Sequence, residues 1–313
     1  MPTPVWIMKV VRALFPQRRW IARLTRLPVV GSLANLILFD GDRVTYIPSS
    51  QRLTIGAPTP SETVVPPNQV NIGAPIPSET VGLPNQATCV PSPQRLNVGA
   101  PIPAESVVLP DRVVEHFIRQ ADSLFVMNTC VCRSAAGCAD HPVDLGCLFL
   151  GDAVHQINPQ FGRLVTQEEA LAHTRRATQA GLVHTIGRSR IDAFLMGAGP
   201  SKKLLTICHC CSCCCLWGIL PHLHPRIAAT IQRMPGLEII VTQDCAGCGR
   251  CARGVCFANA IQLVNGRAVI SDACRGCGRC VEVCPNGAIQ MTLTDTRFVD
   301  ETIRRILALV DLS

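Results

Sequence analysis

Six of the eight positions from Cys208 to Cys215 are cysteine, in the stretch TICHCCSCCCLWG. These are Cys208, Cys210, Cys211, Cys213, Cys214 and Cys215. A second group stands upstream at Cys130, Cys132, Cys138 and Cys147, spaced C-x-C-x5-C-x8-C. Thiolates are soft ligands that select iron–sulfur clusters, zinc and copper(I), so two bursts of cysteine point to metal chemistry. Left without metal, six crowded thiols would be an oxidation liability. A cubane has four iron corners, so one cluster would use four of these thiols and two clusters eight. A larger fused cluster would use an intermediate number. If the run is extended, Cys211, Cys213 and Cys215 share one face and Cys208, Cys210 and Cys214 the other. If it is helical, Cys210 neighbours Cys213 and Cys214, and Cys211 neighbours Cys214 and Cys215. Either way the thiols diverge to two sides, and neither side has four well-placed ligands by itself. The upstream four are the expected complements, with one or two iron–sulfur clusters the expected occupants and zinc the alternative.

His209, inside the run, is the one candidate nitrogen ligand. His141, His155, His173 and His184 read as surface or packing residues. Arg133, Lys202 and Lys203 adjoin the cysteines and can offset cluster charge or simply face solvent.

The C-terminal cysteines are more orderly. Cys274, Cys277, Cys280 and Cys284 lie in CRGCGRCVEVCP, a C-x2-C-x2-C-x3-C-P run. Cys245, Cys248, Cys251 and Cys256 form a partner run in CAGCGRCARGVCF, and the flanks repeat as well: CFANAIQL answers CPNGAIQM. This internal duplication resembles the two-cluster bacterial-type ferredoxin over residues 237–293. Two-residue gaps let a loop wrap a cubane, and the fourth cysteine of each run reaches the other cluster. The resemblance implies two [4Fe–4S] clusters, one held by Cys245, Cys248, Cys251 and Cys284. The other would be held by Cys274, Cys277, Cys280 and Cys256. The sequence departs from the pattern between Cys251 and Cys256, where four residues replace three and Phe257 stands in place of proline. The layout of residues 111–293 as a whole resembles poorly characterised, cysteine-rich 4Fe–4S dicluster-domain proteins of anaerobic bacteria and archaea, which implies iron–sulfur binding and no particular reaction.

The elements around these cysteines can be read in outline. The chain has 313 residues, nineteen of them cysteine, and a net charge of +7. Lys9, Arg12, Arg18, Arg19, Arg23 and Arg26 supply most of that charge within residues 1–39, which carry no acidic residue. Trp6, Val10, Leu14, Trp20 and Ile21 interleave with them, a pattern suited to a lipid surface or a partner groove. Low aromatic content elsewhere argues against nucleic acid. With no cleavable leader pattern and no apolar run of the roughly 20 residues a span needs, the expected setting is reducing and cytoplasmic. The basic segment would place the chain peripherally on the inner face of the membrane.

Five units are expected, in an α+β fold. Residues 1–47 form a basic amphipathic segment. Residues 48–110 hold 13 of the 24 prolines in an irregular repeat and read as an extended linker, with Cys89 a bystander. Residues 111–236 form a helical cysteine-rich metal-binding domain. Its helices start at Asp111, span Leu145–Ile157, and follow a capping box at Thr166 and Glu169. Residues 237–293 form a ferredoxin module of duplicated βαβ pattern. Residues 294–313 form an amphipathic helix packing across that module. The expected function is a relay of single electrons to a redox partner, either a flavoprotein or a membrane reductase. The alternative is a reductase whose central domain carries an unusual catalytic cluster fed by the ferredoxin module.

Overall fold

The computed structural model describes residues 2–48, 53–55 and 109–312. The proline-rich repeats past Ile55, with Cys89, lie outside the described residues.

Three short helices open the chain: α1 (Val5–Leu14), α2 (Arg18–Leu24) and α3 (Pro28–Ala34). Proline at the first position of α3 suits a site whose N–H has no helical partner. Gly41, in the left-handed region at φ +72°, turns the chain into β1 (Arg43–Ile47), and β2 (Thr54–Ile55) follows. Next come α4 (Leu109–Gln120), β3 (Leu124–Met127), α5 (Val131–Ala136), β4 (Leu148–Leu150), β5 (Gly162–Val165), α6 (Gln167–Gln179) and β6 (Val183–Arg188). Then α7 (Arg190–Met196), β7 (Leu205–Cys210), α8 (Pro225–Ala228) and β8 (Ile231–Arg233) complete the central part. The last elements are β9 (Leu237–Val241), β10 (Ile261–Val264), β11 (Arg267–Ile270), α9 (Arg279–Val283), β12 (Ile289–Leu293) and α10 (Arg297–Leu307).

The mixture of helix and sheet is consistent with the α+β class. The central part, expected to be helical, is instead organised on a seven-stranded sheet of order β5-β3-β4-β7-β6-β1-β8. Every neighbouring pair in it is antiparallel except β1 with β8. Residues 145–157 show why periodicity misled. Leu148, Phe149 and Leu150 are buried on both faces and pair with β3 on one side and β7 on the other. A continuously apolar central strand has no alternation to distinguish it from a buried helix. β1, at the end of the segment expected over residues 1–47, belongs to this central sheet, its Val44, Tyr46 and Ile47 buried where it lies between β6 and β8. β2, inside the stretch expected as a linker, pairs with β12 and edges the C-terminal sheet β2-β12-β9.

Helix signals fared better. The capping box is present: Glu169 N–H donates to Thr166 Oγ1 at 3.2 Å and Thr166 N–H to Glu169 Oε2 at 2.9 Å. α4 begins two residues before Asp111, which sits in its first turn, where a carboxylate favours the helix dipole. Val113, Val114, Phe117 and Ile118 of α4 pack with Leu148, Ile186 and Ile207 of the sheet. α10 brings Val299 and Ile306 into that same core, so it lies against α4 as well as the C-terminal sheet. Among the described residues no single helix is long and apolar enough to cross a membrane. Val5–Leu24 and Pro28–Phe39 pass that test only as a pair bent by 117°.

Candidate metal centres

β7 decides how the cysteine run divides. Along this strand Leu205 and Ile207 enter the core under α4, so Cys208 and Cys210 belong to the opposite face. The chain then leaves the sheet in a turn over residues 211–215. The run is thus neither wholly extended nor helical, and its six thiols separate into two sets.

In the first set, Cys208 and Cys210 of β7 and Cys215 beyond the turn meet Cys130, Cys132 and Cys147. Three close pairs are formed. Cys147 Sγ lies 3.2 Å from Cys208 Sγ, Cys130 is hydrogen-bonded with Cys132, and Cys210 with Cys215. The pairs adjoin one another: Cys132 neighbours Cys147 and Cys215, and Cys210 neighbours Cys132. Within each hydrogen-bonded pair one thiol ionises first. The hydrogen bond from Cys132 brings Cys130 down to about 6, and that from Cys210 brings Cys215 down to about 7. Their partners are pushed well up. In the second set, Cys211, Cys213 and Cys214 of the turn meet Cys138, all four sulfurs lying within 4.8 Å of one another.

Two arginines hold these sets in place. Arg133 is fully buried and donates to the carbonyls of Pro142 (2.8 Å), His209 (2.7 Å) and Leu145, while its charge faces Cys130, Cys211 and Cys147. Arg279, at the start of α9, donates to the carbonyls of Cys210 (3.1 Å) and Cys211 (2.6 Å). Burial pulls its guanidinium down, but the surrounding groups, Cys277 first, outweigh that and the net shift is upward. His209, the nitrogen candidate, stands apart from the thiols. Its Nδ1 is 2.8 Å from Nδ1 of His184, directly opposite on β6. Burial holds both rings well toward the neutral form.

The C-terminal cysteines form two further sets. Cys245, Cys248, Cys251 and Cys284 line one small cavity with Gly247, Gly249, Leu263, Pro285 and Ile289. Cys274 and Cys280 neighbour Cys277 and Cys256. Backbone N–H groups already point at sulfur: Ala268 to Cys245 (3.4 Å), Ala260 to Cys256 (3.2 Å) and Gly276 to Cys274 (3.4 Å). Gly247 shows how tight the first loop is. At φ +66°, a Cβ there would sit 2.0 Å from the Gly266 carbonyl oxygen.

The two regions touch at Phe257 and at two residues that sequence reading passed over, Tyr46 and Arg279. Tyr46 of β1 is fully buried, with its ring 4.8 Å from that of Phe257 and tilted 31°. Its hydroxyl has no hydrogen-bond partner among the described residues and faces Cys215, Cys210, Arg279 and Cys277. Arg279 lies over the other ring, its guanidinium carbon 5.4 Å from the Phe257 centroid. Phe257, standing where the ferredoxin pattern has proline, is therefore the apolar joint between the two sites. Tyr46 is the one tyrosine of the chain, in a strand of alternating burial, and that was the available signal.

Residues 252–294 match the model of the LdpA Fe-S cluster-binding domain. The matched segment contains Cys256, Cys274, Cys277, Cys280 and Cys284 and begins just after Cys251. No curated protein and no solved structure matches the chain. The match and the crowded thiols together make this an iron–sulfur protein.

Proposed function

We propose that the chain transfers single electrons between a redox partner and a buried central metal site. Its ferredoxin-type module would carry two [4Fe–4S] clusters. Such clusters store and release one electron at a potential set by charge, hydrogen bonds to sulfur and exposure. The observation carrying this reading is the contact between the two cysteine regions. Tyr46, Cys210, Cys215, Phe257 and Cys277 share one buried cluster, so a ligand candidate from each region lines the same buried joint.

The residues divide the work. Cys245, Cys248, Cys251 and Cys284 would hold the cluster nearer the surface, and Cys274, Cys277, Cys280 and Cys256 the one against the central domain. The N–H groups of Ala268, Ala260 and Gly276 donate to the sulfurs of Cys245, Cys256 and Cys274. Arg279 and Arg133 supply buried positive charge beside the thiolates. Cys130, Cys132, Cys147, Cys208, Cys210 and Cys215 would hold one further iron–sulfur cluster. Six thiols exceed what a cubane takes, which favours, as a second reading, an unusual cluster with catalytic chemistry there.

The partner is a flavoprotein or membrane reductase in this proposal, and docking falls to the N-terminal helices. Trp6, Trp20, Val29, Leu33 and Leu36 are all more than half exposed among the six N-terminal cations. An apolar, basic surface of this kind suits an anionic membrane face.

Anaerobic purification with iron and acid-labile sulfide counting tests the assignment. More than the eight irons of two cubanes is expected. About eight would remove the central cluster, and fewer than four would remove the relay. EPR of the reduced protein separates the two readings: cubane signals alone support the carrier, and an additional non-cubane signal supports the catalytic alternative.

A further inference from the structure

The four thiols Cys138, Cys211, Cys213 and Cys214 differ in kind from the other cysteine sets. Among the described residues, no other group of three or more His, Cys, Asp or Glu side chains brings all its ligand atoms within 4.8 Å of one another. Cys138 Sγ is 3.5 Å from Cys213 Sγ, and Cys213 Sγ is 3.4 Å from Cys214 Sγ. Metal–thiolate bonds of about 2.3 Å in a tetrahedron put sulfurs about 3.8 Å apart. A cubane places each thiolate on a separate iron at a separate corner and needs a wider cage. All four sulfurs stand near the spacing of a single ion, a mutual closeness found in no other set of thiols among the described residues.

We propose that Cys138, Cys211, Cys213 and Cys214 form a mononuclear tetrathiolate site for one thiophilic divalent ion, zinc or ferrous iron, separate from the iron–sulfur clusters. Three ligands come from one turn and the fourth from the loop after α5, so the ion ties the end of β7 to that loop. The sulfurs are supported as metal thiolates are. Cys214 N–H donates to Cys211 Sγ at 3.3 Å, and the N–H groups of Asp140 and His141 point at Cys138. Arg133 hydrogen-bonds Cys211 and offsets part of the negative charge that four thiolates and a divalent ion leave behind. Cys213 is exposed and Cys138 half-buried, so the ion has a route in.

A structural role follows from position. Cys210 and Cys215, which flank this turn, both belong to the six-thiol set. Fixing the turn fixes where those two point. The inference goes beyond electron transfer and stands or falls apart from it.

The test uses the full chain, purified anaerobically from cells supplied with both metals. Zinc and iron are counted, and X-ray absorption is recorded at the zinc and iron edges. For the intact chain, about one ion per chain with four sulfur neighbours near 2.3 Å is expected, with no metal–metal scatterer when that ion is zinc. If that ion is zinc, the zinc edge shows it directly. If it is iron, Cys138→Ser and Cys213→Ser each lower the iron count by one. Both substitutions sit on the exposed side and should remove the ion while leaving the EPR signals of the two ferredoxin-type clusters, which take no ligand from this turn. Loss of about four irons in either variant would overturn the proposal by showing a cluster there. So would an intact chain with no such ion and a Cys138–Cys213 disulfide in its mass spectrum. An iron count too low for the ferredoxin clusters would sink the electron-transfer reading and leave the zinc readout unaffected.

Discussion

Arg279 offers the most direct check on how the two cysteine regions communicate. Its guanidinium touches the carbonyls of Cys210 and Cys211, stacks over Phe257 and faces Cys277. One positive charge therefore sits between the central thiols and the C-terminal set that includes Cys277, shielded from water at 4 % exposure. At about 6 Å and an effective dielectric of about 20, a unit charge contributes about 3 kcal/mol to an electron placed on either side. For one electron that is roughly 120 mV. Arg279→Gln removes the charge and should lower the potential of the adjacent centres by about 100 mV, because reduction adds negative charge where none is now compensated. The two buried carbonyls lose a donor at about 1–3 kcal/mol each, so the variant will also be less stable. Arg279→Lys keeps the charge and should shift potentials by less than about 30 mV, which separates charge from packing. The assay is an EPR-monitored redox titration of anaerobically purified protein with its iron complement verified. If Arg279→Gln retains its iron and every midpoint stays within about 20 mV of the parent, the arginine does not sit between redox centres and the joint has no electrostatic role.

Two further predictions concern the N-terminal segment. Full-length protein should float with vesicles containing anionic lipid, and Trp6→Glu with Trp20→Glu should cut the bound fraction at least about tenfold, since each indole contributes about 1.5–3 kcal/mol when buried. Equal flotation of the double variant would show that these helices do not dock on lipid. Asp42 is 6 % exposed and accepts from the Arg190 N–H at 2.9 Å, and burial raises its carboxyl to about 6. The folded state thus binds the proton more tightly than the unfolded one, and stability falls as pH rises between about 4 and 6, by up to about 3 kcal/mol. Asp42→Asn keeps the acceptor and loses the slope, so thermal midpoints of parent and variant should diverge in the variant's favour from pH 5 to pH 7.5. Parallel curves would show that Asp42 titrates normally.

Local signals carried a good part of the structure. The capping box at Thr166 and Glu169 was legible because both partners lie within one turn of sequence. That the run Cys208–Cys215 divides could be expected, but not its membership: Cys214 joins Cys211 and Cys213, and Cys215 joins Cys210, the reverse of the extended expectation. What the run could not state was where the strand ends. β7 stops at Cys210 because its pairing with β6 stops there, at Val183, and pairing is a property of two distant segments. The helix expected over residues 145–157 failed likewise: three consecutive apolar residues look alike whether a helix or two neighbouring strands bury them.

By itself the sequence determined the thiol inventory: which thiols exist, how the C-terminal eight are spaced, and that the upstream four and the run were to be read together. Only tertiary structure decided the partition, because distances between sulfurs depend on a strand order that joins residues 43–47, 124–210 and 231–233 in one sheet. That order sends Cys138 to the turn and Cys130, Cys132 and Cys147 to the strand face. It also brings Tyr46 and Arg279, more than two hundred residues apart in sequence, to the same few ångströms between them.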